Sequence, residues 1–123
     1  MSIKINRQKW FFLPLFMLLL AACEKEVFET VVIPNDDLSY SLDIQPIFDD
    51  KCVSCHPPTK GLDLTEPVSY DELVPEFVTV ADSANPRGSK LYGKINGSSH
   101  SSKTTDIEKQ KIEKWISQGV LNN

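Results

Sequence analysis

Residues 41–56 read SLDIQPIFDDKCVSCH, and the rest of the chain is best understood outward from this stretch. Ile44, Ile47 and Phe48 recur at i, i+3, i+4, which puts three apolar side chains on one face of a helix. Ser41 is the expected N-cap and Asp43–Lys51 the expected helix, with Pro46 in a first turn that tolerates a residue lacking an N–H. The helix runs directly into Cys52-Val53-Ser54-Cys55-His56.

That pentapeptide is C-x-x-C-H, the attachment signature of c-type haem. Thiols at i and i+3 lie about one helical turn apart on the same side, so each can add to one vinyl group of a porphyrin. His56, next to the second sulfur, then has its imidazole under the iron as the proximal ligand. Two other chemistries compete for these residues. A thioredoxin-like dithiol would sit in a βαβ pattern, which is lacking here. A zinc site would need four ligands, and Cys52, Cys55, His56 and His100 form a set without the usual paired second half.

Downstream the pattern is helical with short interruptions. Thr65-Glu66-Pro67 predicts the start of a second helix through Leu73, closed off by Pro75. Pro86 predicts the start of a third through Ile95, with Leu91, Tyr92 and Ile95 as its buried stripe. Gly97 opens a polar loop whose residues 98–102, SSHSS, are the one low-complexity patch. Thr105-x-x-Glu108 is a capping box for the last helix, where Ile112, Trp115 and Ile116 share a face with Ile107 and Gly119 is the stop.

Upstream lies a leader. Residues 1–9 carry only positive charge, and Trp10–Leu20 is an 11-residue apolar run, broken by Pro14 and too short to span a bilayer. Residues 1–22 therefore read as an export signal. They leave about 100 residues and room for one domain, too few for a second. The charge left behind is 10 basic against 17 acidic residues, net −7, which excludes sequence-independent binding to nucleic acid. At 41% apolar residues the chain is ordered in composition yet small for a self-sufficient core, so something besides side chains is expected to fill the interior. An odd count of 3 cysteines also argues against a simple disulfide framework.

Leu20-Ala21-Ala22-Cys23 resembles the lipobox of bacterial lipoproteins, in which the cysteine is acylated and becomes the mature N-terminus. The resemblance accounts for Cys23 and implies an exported protein, lipid-anchored at a bacterial membrane and facing the periplasm or the cell surface. Residues 23–40 then read as the acylated cysteine and an acidic tether, with a strand over Val27–Ile33 as the alternative. Residues 41–123 read as the haem domain.

Four stretches together resemble the small single-haem domains of lipoprotein cytochromes related to class I cytochrome c. They are Ser41–His56, Gly61-Leu62-Asp63-Leu64, Asn85–Ile95 and Ile107–Gly119, and they cover most of residues 41–119. The resemblance implies an all-α, class I cytochrome c-like fold around one covalent haem. The helix before the haem motif would cross the C-terminal helix, with Ile47 and Phe48 against Trp115 and Ile116. It also implies a methionine as second axial ligand, and here the chain departs from it. Met1 and Met17, both in the leader, are its only methionines. The corresponding loop holds His100, the only histidine besides His56, which makes it the candidate distal ligand. Lys103, Lys94 or an open site are the alternatives.

Charge is uneven: residues 23–82 are net −11 and residues 83–123 net +4. Solvated helix faces account for this equally well as a dipole that turns the haem edge toward an acidic redox partner. No catalytic triad, paired acid–base carboxylates or phosphate loop stands in the sequence. The expected function is one-electron transfer between a donor and an acceptor protein, not enzymatic catalysis. A haem module that binds CO or NO, or an accessory haem subunit of a larger surface complex, are the competing readings.

Overall fold

The computed structural model describes residues 36–57 and 61–123. The leader, Cys23 and Val27–Ile33 lie outside the described residues. All regular structure among the described residues is helical, with no strand, and none of its helices is long and apolar enough to cross a membrane.

The first helical run starts two residues ahead of the expected cap. Ser39 is the N-cap: its Oγ accepts the Leu42 N–H at 3.3 Å, while its own N–H donates to Asp43 Oδ2 at 2.9 Å. Because the run begins there, Pro46 no longer falls in its opening turn. A proline ring clashes with the carbonyl four residues back and offers it no N–H. Residues Tyr40–Ile44 widen accordingly into a π-helical turn, and helix α1 proper is Gln45–Lys51.

The other elements are also trimmed from their expected spans. Helix α2 is only Ser69–Leu73. Thr65 does not open it, because its N–H and hydroxyl both donate to Asp63 Oδ1, at 2.9 and 2.7 Å, and close a local turn instead. Those bonds hold the Asp63 carboxyl below its ordinary pKa. The span from Pro86 divides into a 3-10 turn, Pro86–Gly88, and helix α3, Lys90–Asn96, capped by the Ser89 hydroxyl on the Tyr92 N–H. Another 3-10 turn, Val80–Ala84, carries a capping box of Thr79 and Asp82 that the sequence reading passed over.

Helix α4, Asp106–Ser117, forms as expected. Thr105 and Glu108 make both arms of the capping box, and Gly119 ends the helix at φ +96°. Replacing Thr105 with Ala is expected to cost about 1 kcal/mol of stability, read as a lower denaturant midpoint at unchanged slope. Ile107 is a correction: it is 38% exposed and not on the buried face, which is Ile112, Trp115 and Ile116.

The crossing of the terminal helices also sits earlier than expected. Helix α4 packs on the Tyr40–Ile44 turn, where the Tyr40 ring lies 5.3 Å from Trp115 and 6.4 Å from Phe48. Tyr40 and Leu38, read as the end of the tether, are therefore core residues. Helix α4 and the chain beyond it hold them there. The Leu38 N–H donates to Gln118 Oε1 at 3.0 Å, the Tyr40 N–H to Asn123 Oδ1 at 3.0 Å, and Ser39 Oγ to the Asn123 carbonyl at 2.6 Å. The acidic segment thus joins the domain at a point fixed to its C-terminal residues.

Candidate haem site

The C-x-x-C-H motif folds as the continuation of α1. The Cys52 N–H donates to the Phe48 carbonyl at 2.8 Å, as α1 ends, and the Cys55 and His56 N–H groups both donate to the Cys52 carbonyl, at 3.0 and 2.9 Å. This turn brings both thiols and the His56 imidazole to the wall of one cavity of about 330 Å³.

His56 is tied to the core through its backbone. Its carbonyl accepts the Leu64 N–H at 3.0 Å, and the Leu64 carbonyl accepts from Gln45 Nε2 at 3.0 Å. Gln45 Oε1 accepts from the Ser69 hydroxyl, which in turn accepts from the Tyr40 phenol at 2.9 Å. Burial pushes the Tyr40 phenol up to about 12, so it is a donor throughout the physiological range. Gln45→Leu would leave the Leu64 carbonyl without this donor and the Ser69 hydroxyl without this acceptor. A loss of about 1–3 kcal/mol is expected, measured by denaturant unfolding.

The cavity walls are apolar. They include Phe48, Leu64, Leu73, Phe77, Leu91 and Ile95. The expected stripe of α3 is thus a cavity wall at Leu91 and Ile95, while Tyr92 is only half-buried. The ionisable lining carries no carboxylate: besides the thiols and imidazoles it is Lys51, Lys94 and Lys103. Lys51 is engaged by Asp50 at 2.6 Å and Glu108 at 3.8 Å, whereas Lys94 and Lys103 form no ion pair among the described residues. At the same wall the buried Thr104 hydroxyl has no hydrogen-bond partner among the described residues, a state that costs free energy unless something in the cavity meets it.

His100 reaches this cavity from the far side of the chain. Its ring centroid lies 6.1 Å from that of His56, with the two planes 24° apart. A metal–imidazole bond of about 2.0–2.1 Å, plus roughly 1 Å from nitrogen to ring centre on each side, puts two imidazoles sharing one metal about 6 Å apart between centres. The two rings are therefore at the separation that a shared metal requires.

The residues present suit a haem. Such a group is flat and largely apolar, bears two carboxylates, and takes two thiols and one or two imidazoles from its protein. The apolar walls, the cationic lining, the orphan Thr104 hydroxyl and the four donor side chains match those demands in turn. They suit an attacking dithiol less well: burial pushes the Cys52 thiol up to about 11, the reverse of the lowered pKa that such a thiol needs.

Cys52, Cys55, His56 and His100, with the alternatives Lys94 and Lys103, thus line one cavity. Cys23 lies outside the described residues. The sequence reading missed Phe77 and Thr104. Phe77 sits in an irregular connection between α2 and the Val80–Ala84 turn, with no periodicity to mark it. Thr104 precedes the N-cap, where a hydroxyl is unremarkable. Comparison with protein-family models, curated proteins and solved structures finds no match to this chain.

Proposed function

We propose that this chain is a lipid-anchored c-type cytochrome of class I cytochrome c-like fold, which carries single electrons through one covalently held haem. The observation that carries the reading is the convergence of Cys52, Cys55 and His56 with His100 on one apolar cavity whose charged lining is cationic. A bound haem supplies an iron that alternates between Fe(III) and Fe(II).

The chain's own residues do the rest. The Cys52 and Cys55 thiols would each hold the group by a sulfur–carbon bond to a vinyl carbon, the thiol hydrogen going to the other vinyl carbon. His56 and His100 would be the residues that hold the iron. Phe48, Leu64, Phe77 and Leu91 would keep water from the ring, and Lys94, Lys103 and Thr104 would offer donors to its carboxylates. No side chain is required to move a proton. Lys94 and Lys103 are also exposed beside the cavity and supply positive charge for docking an acidic donor or acceptor protein. An acylated Cys23 would attach the chain to a membrane without a spanning helix, with the acidic segment after it as a tether that holds the domain clear of the lipid headgroups.

Spectroelectrochemical titration of the full chain, matured in a host with cytochrome c assembly machinery, tests the function. One reversible single-electron wave, with a low-spin ferrous spectrum that CO changes only slowly as the distal ligand leaves, is the expected result. Rapid stoichiometric CO binding would instead assign the chain to small-ligand sensing.

A further inference from the structure

The loop that carries His100 is more ordered than its serine-rich sequence suggests. The His100 and Ser101 N–H groups both donate to the Gly97 carbonyl, at 2.9 and 2.8 Å, and the His100 carbonyl accepts the Lys103 N–H at 2.8 Å. Lys109 on α4 reaches back to the Ser101 carbonyl at 3.1 Å. These bonds fix the backbone of His100, but they leave its ring free to turn. One contact addresses the ring itself: Ser99 Oγ lies 2.8 Å from His100 Nδ1. Ser99 and His100 both line the cavity.

An imidazole has two nitrogens, and the partner of one decides what the other can do. With Nδ1 donating its N–H to the Ser99 hydroxyl, Nε2 keeps its lone pair and is available as a ligand. Without that partner the proton can reside on Nε2, where it blocks ligation, and the ring can rotate away. We infer that Ser99 is the positioning residue of His100: when Nε2 serves as ligand, Nδ1 carries the proton and donates it to the Ser99 hydroxyl, which holds the ring orientation that presents Nε2 to the iron and strengthens that nitrogen as a donor. The inference rests on the proposal that the cavity holds haem with His100 as its distal ligand. It adds a residue that the ligand motif does not contain, since neither spacing nor composition distinguishes Ser99 from the three other serines of residues 98–102.

Outer partners of metal-bound histidines are worth about 10–100-fold in metal affinity or activity. The test uses full-length wild type, Ser99→Ala, Ser99→Thr and His100→Ala, matured with their haem, and CO as the probe. CO can bind ferrous haem only after His100 leaves, so the rate of CO binding reports how firmly His100 is held. Ser99→Ala is expected to retain covalent haem in wild-type amount, to bind CO about 10–100-fold faster, and to have a higher midpoint potential. Ser99→Thr keeps the hydroxyl and is expected to return both quantities toward wild type.

Two results overturn the inference while leaving the haem proposal standing. The first is a Ser99→Ala protein with wild-type CO kinetics and potential. The second is a Ser99→Thr protein as fast as Ser99→Ala, which would show that the hydroxyl is not the operative group. A wild type without covalent haem, or a His100→Ala spectrum equal to wild type, counts against the underlying proposal and takes the inference down with it.

Discussion

A protein with both Cys52→Ala and Cys55→Ala is expected to mature without covalent haem and to lose most of its stable tertiary structure. The first half follows from chemistry, because among the described residues no other thiol lines the cavity. The second follows from the architecture. Phe48, Leu64, Leu73, Leu91 and Ile95 line the cavity, and a haem removed from among such side chains would forfeit both contacts and transfer free energy. Chains of this size have little stability in hand, roughly 5–15 kcal/mol. Near-ultraviolet circular dichroism and proteolysis of the double variant measure the effect. Each single variant should keep one thioether and an intermediate stability. A double variant as protease-resistant as wild type would mean that the apolar cavity closes on itself, and that the haem is not part of the core.

His100→Ala should have the largest effect on the iron. Removing the second imidazole leaves an open or water-filled position, so ferrous protein that took up CO only slowly should bind it at once. His100→Met is the complementary change. Thioether sulfur favours Fe(II), whereas imidazole donates more strongly and favours Fe(III), so the potential should rise and the weak far-red absorption of iron–thioether coordination should come in. Ordering the Gly97–Thr104 loop costs roughly 1–2 kcal/mol of backbone entropy per residue. The bonds to the Gly97 and His100 carbonyls meet part of that cost. A His100→Ala protein with unchanged spectrum, CO reactivity and potential would transfer the distal role to Lys94 or Lys103, or leave the position open.

Much of the local structure was legible before any coordinates. The Thr105–Glu108 box, the Gly119 stop and the all-helical class depend on neighbours within a few residues, and those neighbours behave as isolated chemistry says they should. The first helix was misplaced because Asp43 accepts the Ser39 N–H while Ser39 caps Leu42, and because Asn123, at the other end of the chain, takes up the Ser41 N–H and hydroxyl that the cap would otherwise use. Thr65 misled for the opposite reason, since Asp63 captures it more locally than a helix could. The motif residues Cys52, Cys55 and His56 identify themselves by spacing. His100 could be named only by elimination, and its approach to His56 is a product of how α3, its loop and α4 pack. The buried relay from Tyr40 through Ser69 and Gln45 to Leu64 had no signature at all, because each member is ordinary in its own segment.

The central claim is that Cys52 and Cys55 hold haem through covalent bonds, and acid–acetone extraction of the wild-type protein tests it most directly. The full chain is to be matured outside the cytoplasm of a host with cytochrome c assembly machinery and then extracted under denaturing conditions. Haem that stays with the polypeptide, at one group per chain and with the pyridine spectrum of saturated vinyl positions, is the predicted result. Haem that leaves with the solvent, or a polypeptide that never acquires any, would contradict the account.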